Sequence, residues 1–216
     1  MNCCSQQRGL NQIFSPAVAR HEAEQFRKHG LDKRDRQLLR AMTQHGVQGA
    51  SVLEIGGGVG GLEIELLRAG AAFATDVDIA QAYVESAREL ARDLGYAAAS
   101  EQRVLDFARA AGEVEAADIV LMNRVVCCYP DMPALVRPAA QHARRRLALV
   151  FPREAWWMRL GVHVMNLGLW LLRRDFRFFV HPHDDIIGLV SRQGLRAVYD
   201  RYSGLWRMMI FERGQS

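Results

Sequence analysis

Lysine is almost missing from this chain of 216 residues: Lys28 and Lys33 are the only lysines among 28 basic residues, and the rest are arginine. Against 24 acids this leaves a net charge of +4 and a pI near 9.1, too small an excess to argue for a nucleic-acid partner, and none is expected. Cysteine is also scarce. The four cysteines form two adjacent pairs, Cys3-Cys4 and Cys127-Cys128, and neighbouring cysteines are neither the C-x-x-C of a zinc site nor the framework of a disulfide-rich secreted fold. Reduced thiols in a cytoplasm are the expectation; a metal site joining both pairs is the lesser alternative, and no metal-ligand spacing is evident. The first ten residues, MNCCSQQRGL, hold one arginine and no apolar core of about seven residues, so no signal peptide is expected. No apolar run reaches the roughly 20 residues that a bilayer-spanning helix needs. What is present is a half-hydrophobic chain, 50% by composition, long enough for one well-buried core.

The chain is organised around Ser51 to Ala80. Val52, Leu53 and Ile55 form a short apolar run that fits a buried parallel strand. Gly56, Gly57, Gly58, Gly60 and Gly61 follow almost at once. A helical pattern comes next, with Leu62, Leu66 and Ala69 on one face and Glu63 and Arg68 elsewhere; Gly70 stops it. A second apolar run then ends in Thr75, Asp76, Val77 and Asp78. Strand, glycine turn, helix, strand and acid make one βαβ unit that binds a nucleotide-like ligand. The glycines let a ligand lie against bare backbone. Asp78, about 20 residues past them, is placed to accept hydrogen bonds from ribose hydroxyls.

Two cofactor classes use such a unit. Gly56, Gly58 and Gly61 satisfy the dinucleotide pattern G-x-G-x-x-G, while Gly56, Gly58 and Gly60 also spell G-x-G-x-G, with Glu54 two residues ahead. A buried carboxylate needs a partner. The cationic amino acid end of S-adenosylmethionine supplies one, whereas a dinucleotide pyrophosphate would be repelled. On Glu54 and these glycines the chain resembles the class I S-adenosylmethionine-dependent methyltransferases. The resemblance implies a Rossmann-like α/β fold: a seven-stranded, mostly parallel sheet closed by an antiparallel hairpin, with helices ahead of the first strand covering the cofactor. It implies cofactor contacts at Glu54, Gly56, Gly57, Gly58, Gly60 and Asp78.

The remaining segments fit that outline. Ser15 and Pro16 start a helix that Gly30 ends, and a second helix begins near Asp32 and ends at Gly46. After a helix from Gln81 to Leu94, Glu101 to Phe107 is expected as the third strand. The resemblance puts Asp106 where an acid accepts the adenine amino group; a strand-end aspartate that caps a helix is the alternative. Ala117 to Asn123 is the fourth strand, and the resemblance makes Asn123 a contact to the methionine part of the cofactor. Asn123 to Tyr129 also resembles, more loosely, a stretch of magnesium-protoporphyrin O-methyltransferases in which an acid and an arginine precede a His and a Tyr. Here Asn123 stands for the acid and Cys128 for the His. Tyr129 either orients a substrate or packs under the next helix. A helix over 131–144 and a strand over 147–151 follow.

Residues 155–172, AWWMRLGVHVMNLGLWLL, contain a single charge, Arg159. On a helix, Trp156, Leu160, Val164, Leu167 and Leu171 share one face; Met158, Val162, Met165, Leu169 and Leu172 cover the other. A helix apolar all round is buried in protein or in lipid. Between Arg137 and Arg177 lie nine arginines against Glu154 and Asp175, a net +7 that leaves −3 for the rest of the chain. An apolar helix edged by arginines and tryptophans suits a membrane interface or a lid over an apolar substrate, and plain packing on the sheet or in a dimer is the alternative. The closing segments are His181-Pro182-His183, a helix over 184–193, and two strands near 195–200 and 205–211 joined by a hairpin turn. His181 and His183 are candidates for a general base, or loop residues.

The expected organisation is therefore one domain, 1–216: a helical cap over 1–47, a cofactor-binding half over 48–152, an apolar lid insertion over 153–182 and a C-terminal helix and hairpin over 183–216. The expected function is S-adenosylmethionine-dependent O-methylation of a small apolar or membrane-associated acceptor. The expected location is cytoplasmic, with peripheral membrane contact through 155–172 as an option, and no pattern specifies an oligomeric state. Tyr129, His181 and His183 are the candidates for catalysis. A nicotinamide-dependent oxidoreductase and a non-catalytic binding module on the same fold are the alternatives.

Overall fold

The computed structural model describes residues 9–10 and 13–214; the Cys3-Cys4 pair and the first part of the expected cap lie outside them. Seven strands, β1 (Ser51–Ile55), β2 (Phe73–Asp78), β3 (Ser100–Val104), β4 (Ala117–Asn123), β5 (Ala143–Pro152), β6 (Leu195–Ser203) and β7 (Trp206–Arg213), form one sheet in the order β3-β2-β1-β4-β5-β7-β6. The first five run parallel, and β7 inserts antiparallel between β5 and β6. The chain winds outward from β1 to β3 and returns to place β4 on the other side of β1. Ligands of open α/β sheets bind beyond the strand ends at such a reversal.

The helices are α1 (Pro16–His29), α2 (Lys33–Gln44), α3 (Gly61–Arg68), α4 (Gln81–Asp93), the short α5 (Phe107–Ala110), α6 (Met132–His142), α7 (Trp156–Leu171) and α8 (His183–Ser191). Side chains alternate across the strands and so divide the core in two. Leu53, Val120, Leu149 and Phe211 face one way, onto α6 and α8; Val52, Leu121, Val150 and Ile210 face the other, onto α2, α3 and α4. Local chemistry sets the helix starts. Ser15 accepts the Val18 N–H ahead of Pro16, and Asp32 accepts the Asp35 N–H at 2.8 Å. Gly30, at φ 67°, lets the chain turn from α1 into α2.

Three sequence expectations shift. Strand β5 starts at Ala143 rather than 147, because Arg144 and Arg145 lie exposed while Arg146 turns inward. Strand β3 ends at Val104, so Asp106 lies beyond the strand, ahead of α5. Helix α7 has no buried side chain: the stripe Trp156, Leu160, Val164, Leu167 and Leu171 is exposed, and Met158, Val162 and Leu169 are only half-buried against the body.

Arg146 ties the cap to the sheet. Its Nε donates to Glu212 Oε1 on β7 at 2.7 Å, and its Nη1 donates to the Gly46 carbonyl that follows α2. Replacing it with methionine removes both bonds, so Arg146→Met is expected to cost about 1–3 kcal/mol. In a chain of this size that lowers the thermal midpoint by roughly 3–10 °C. Arg145→Met on the exposed side is expected to change stability by less than about 0.5 kcal/mol. Equal midpoints for the two variants in a melting experiment would refute this role for Arg146.

Candidate functional site

The β1 end carries Glu54, 1% exposed, and the chain then leaves the sheet through glycines whose backbone excludes other residues. Gly56 has φ 71°, and a Cβ there would stand 2.5 Å from Val125 Cγ2. At Gly57 a Cβ would meet Asp76 Oδ1 at 2.5 Å, and at Gly61 it would meet the Phe26 ring at 2.8 Å. Strand β2 supplies the two acids that hold this loop. Asp76 Oδ1 accepts the Gly57 N–H at 3.0 Å; Asp78 accepts the Gly58 N–H at 3.2 Å and the Ala80 N–H at 2.8 Å.

These carboxylates sit in low dielectric. Burial first, then the neighbouring Glu63 and Asp35, pushes Glu54 well above the usual carboxylate range. Burial and then Glu63 and Glu54 do the same to Asp76. Burial brings Asp78 up to about 6, against the opposing N–H groups of Ala80 and Gly58. The helical pattern sets Glu63 off the apolar face of Leu62, Leu66 and Ala69. Glu63 is nevertheless fully buried, because the eight-residue α3 is covered on nearly every side. Gln102 Nε2 donates to its Oε1 at 2.8 Å, and burial raises it to about 7. Three buried oxygens in this group, Glu54 Oε2, Glu63 Oε2 and Asp76 Oδ2, lack a hydrogen-bond donor among the described residues.

At the end of β4, Asn123 Nδ2 donates to Asp35 Oδ1 at 3.0 Å, and Asn123 Oδ1 is buried without a donor. Arg124 adopts φ 67°, a left-handed conformation that side chains rarely take. Its Nη2 reaches Asp35 Oδ2 at 3.1 Å, so one acid on α2 holds two consecutive residues of the β4 end. A cavity of about 610 Å³ opens over this region. Glu54, Gly56, Gly57, Gly58, Asp78, Asp106, Asn123 and Tyr129 line it, and so do Phe14, Phe26, Tyr83, Phe178 and Trp206, which make much of it apolar. Arg124 is the one cationic side chain on its wall among the described residues.

The predicted site residues therefore divide. Glu54, Gly56, Gly57, Gly58, Asp78, Asp106, Asn123 and Tyr129 converge on one cavity, with Gly60 just behind the loop at φ 75°. Tyr129 donates its hydroxyl to Asp106 Oδ1 at 3.3 Å. The two histidines stand off. His181 Nε2 contacts the Tyr129 carbonyl at 3.0 Å, and burial lowers its pKa. His183 is buried against Phe151, with Nε2 on the Pro152 carbonyl at 2.9 Å and Nδ1 facing Arg207 Nη1 at 2.9 Å. Neither is part of the cavity wall. No group of three or more His, Cys, Asp or Glu side chains among the described residues is arranged to hold a metal ion. Sequence reasoning missed Asp35, Asp76 and Glu63 as site residues. Asp76 had the one available signal, an acid two positions before Asp78 and so on the same face of β2.

A cationic ligand end fits the orphaned Glu54 and Asn123 oxygens, and a dinucleotide pyrophosphate beside four buried or half-buried acids does not. The family model described as "Methyltransferase domain" matches residues 53–151. No curated protein matches the chain. Among solved structures, magnesium protoporphyrin IX methyltransferase from Synechocystis PCC 6803, with bound S-adenosylhomocysteine, superposes with a TM-score of 0.66 at 24% identity, covering 83% of this chain and 81% of that one. An O-methyltransferase family protein from Burkholderia thailandensis gives 0.70 at 16% identity, covering 94% of this chain and 62% of its own. Geranyl diphosphate C-methyltransferase from Streptomyces coelicolor A3(2) gives 0.66 at 12% identity, with 84% and 79% covered. The strand order, the glycine loop after Glu54 and the matched domain agree: residues 53–151 are a methyltransferase domain of the kind that uses S-adenosylmethionine, set in a sheet of the class I fold.

Proposed function

We propose that the chain folds as a single methyltransferase domain, with cap, cofactor half, apolar insertion and closing hairpin, and methylates an oxygen of a small apolar or membrane-associated acceptor in the cytoplasm. Among known folds of this kind, the O-methyltransferase family protein from Burkholderia thailandensis supports the oxygen assignment, and the aromatic cavity wall supports an apolar acceptor. The observation that carries the cofactor site is the buried Glu54 Oε2, which has no donor and borders the cavity. Glu54 takes the cofactor's ammonium, with Asn123 Oδ1 as a second acceptor. The glycine loop leaves room for the amino acid and ribose, Asp78 accepts from the ribose, and Asp106 stands at the adenine end.

When bound, the cofactor supplies a methyl group on a sulfonium, open to in-line displacement. The protein's task is then to hold the acceptor oxygen in line and exclude water. A base is required only for an acceptor that arrives protonated. Both ring nitrogens of His183 already have partners in the fold, and His181 is held by backbone carbonyls, which leaves positioning as the main contribution. Tyr129, hydrogen-bonded to Asp106, is the polar side chain that joins the adenine end of the cavity to the β4 end.

Glu54 is expected to act in opposite directions on stability and binding. Glu54→Gln removes a desolvated carboxyl, so the free protein should melt at the same temperature or higher. Its affinity for S-adenosylhomocysteine should fall at least tenfold, the consequence of losing about 2 kcal/mol or more when one partner of a buried charge pair is removed. In the parent protein, ligand at 100 times its dissociation constant adds about 2.7 kcal/mol, or roughly 5–10 °C in midpoint, whereas NADH should add nothing. A shift with NADH, or unchanged affinity in the variant, would overturn the assignment.

The raised acids also set a pH dependence. Asp78 at about 6 and Glu63 at about 7 in the folded chain bind protons that the unfolded chain has released, since their ordinary values are 3.8 and 4.5. In that window the folded state holds more protons, so the free protein loses stability as pH rises from about 4 to about 7. Asp118, Glu154 and Asp200, whose values are lowered, act in the opposite direction and only below that range. Cofactor binding needs ionised acids beside its ammonium. The midpoint gain from S-adenosylhomocysteine should therefore grow across the same window, and a gain that is flat or shrinks with pH in melting curves would contradict the proposal.

A further inference from the structure

Helix α7 inverts the usual arrangement of a surface helix. Arg159 and His163 stay exposed, but the third polar residue, Asn166, turns toward the body, where its side chain accepts the Phe178 N–H at 2.9 Å and donates to the Phe178 carbonyl at 2.8 Å. Its large apolar residues turn outward: Trp156 is 77% exposed, Val164 63% and Leu171 67%, with Trp170 and Leu172 beside them. The tip of the β6–β7 hairpin extends this face, since the Leu205 carbonyl accepts the Arg153 N–H at 2.9 Å and the Leu205 side chain is also exposed. Folded monomers seldom leave a contiguous apolar surface of this kind uncovered.

Charge at the helix ends identifies what covers it. Arg153 and Arg159 stand at one end, and Arg173, Arg174 and Arg177 at the other. Arg173 takes φ 53° and closes the helix in the left-handed position where glycine is usual; the Arg173 N–H donates to the Trp170 carbonyl and the Arg174 N–H to the Leu169 carbonyl. Between residues 153 and 177 the only acids are Glu154 and Asp175, and Glu154 is occupied by Arg159 and the His183 N–H. A second copy docked through the same face would bring these arginine-rich ends together with Asp175 as the one acid of the segment left to meet them. The helix has 16 residues, about 24 Å, and no helix among the described residues is long and apolar enough to cross a membrane. An apolar face with tryptophans near both ends and cations beyond them matches the interface of an anionic bilayer, with the helix lying in its plane.

We propose that α7 and the Leu205 tip seat this protein on membranes rich in anionic phospholipid. Phe178, gripped by Asn166 at both its N–H and its carbonyl, lines the cavity, so the seated helix holds one cavity wall at the lipid surface. An acceptor dissolved in the bilayer reaches the site past that wall. This last step rests on the methyltransferase assignment, whereas the contact with the bilayer does not.

The test is sedimentation of the purified full chain with vesicles of phosphatidylcholine alone and of phosphatidylcholine with phosphatidylglycerol in equal parts. Binding is expected to favour the anionic vesicles and to weaken in high salt. Leu160→Asp combined with Leu167→Asp should reduce binding at least tenfold, while the melting midpoint and calorimetric affinity for S-adenosylhomocysteine stay unchanged, because both positions are exposed. Arg173→Gln with Arg174→Gln should lower binding to anionic vesicles about tenfold or more and leave the weak binding to neutral vesicles unaltered. Absence of binding to either vesicle, or binding that survives the two aspartates, overturns the proposal. So does a lipid-free dimer, seen by sedimentation velocity, that the same aspartates dissolve. Loss of S-adenosylhomocysteine binding by the unaltered, lipid-free chain would refute the methyltransferase site instead, and so the two failures are distinguishable.

Discussion

Two backbone N–H groups, those of Gly57 and Gly58, are accepted by two carboxylates of the neighbouring strand, and the site depends on that arrangement. Asp76 and Asp78 are two apart on β2 and so share a face. The parallel register sets Glu54 opposite Asp76, which brings a third acid to the same place. Without donors these groups would not tolerate burial. The loop therefore has to present its amides to β2, which requires the positive φ angles of Gly56 and Gly58 and excludes a Cβ at Gly57. The shape of the cofactor loop and the negative potential beneath it have one cause.

A second acid closes the structure from above. Asp35 lies on α2, in the cap, yet its two oxygens hold Asn123 and Arg124 at the end of β4. Arg124 is thereby fixed in a conformation that places Val125 against Gly56, and the Phe26 ring of α1 presses on Gly61. The cap, the β4 end and the glycine loop are in this way in direct mutual contact. A displacement of the cap would alter the shape of the loop, so the helices ahead of β1 are part of the site and not only a cover for it.

Much of this was legible in the sequence. The run from Val52 to Asp78 specified its elements because glycine punctuation, apolar period and strand-end acids agree with one another. The two closing runs near 195–200 and 205–211 likewise fall on β6 and β7. Less legible were residues whose role depends on distant partners. Glu63 looks like an exposed position because local periodicity does not show that a helix as short as α3 is enclosed. Asp35 looks like part of a helix start, since only the fold brings it to Asn123. Arg144 to Arg146 obscure the start of β5, because a pairing with Glu212 on β7 is needed before one of three arginines turns inward. His181 and His183 have the residue type a base requires, but contacts to carbonyls and to Arg207 give them work inside the fold.

Helix α7 shows where periodicity stops being informative. With both faces apolar, spacing alone cannot say which one meets the protein, and hydrophobic content favours neither. The amide decides. On a helix seated as proposed, an asparagine facing the bilayer would leave its donors and acceptor without partners in lipid, whereas facing inward it completes the free N–H and carbonyl of Phe178. Once Asn166 is turned in, helical geometry puts Met158, Val162 and Leu169 beside it and sends Trp156, Leu160, Val164, Leu167 and Leu171 outward. A polar side chain satisfied by the backbone of a segment at the cavity wall thus bears both on which apolar face is left exposed and on which part of the wall is tied to the helix.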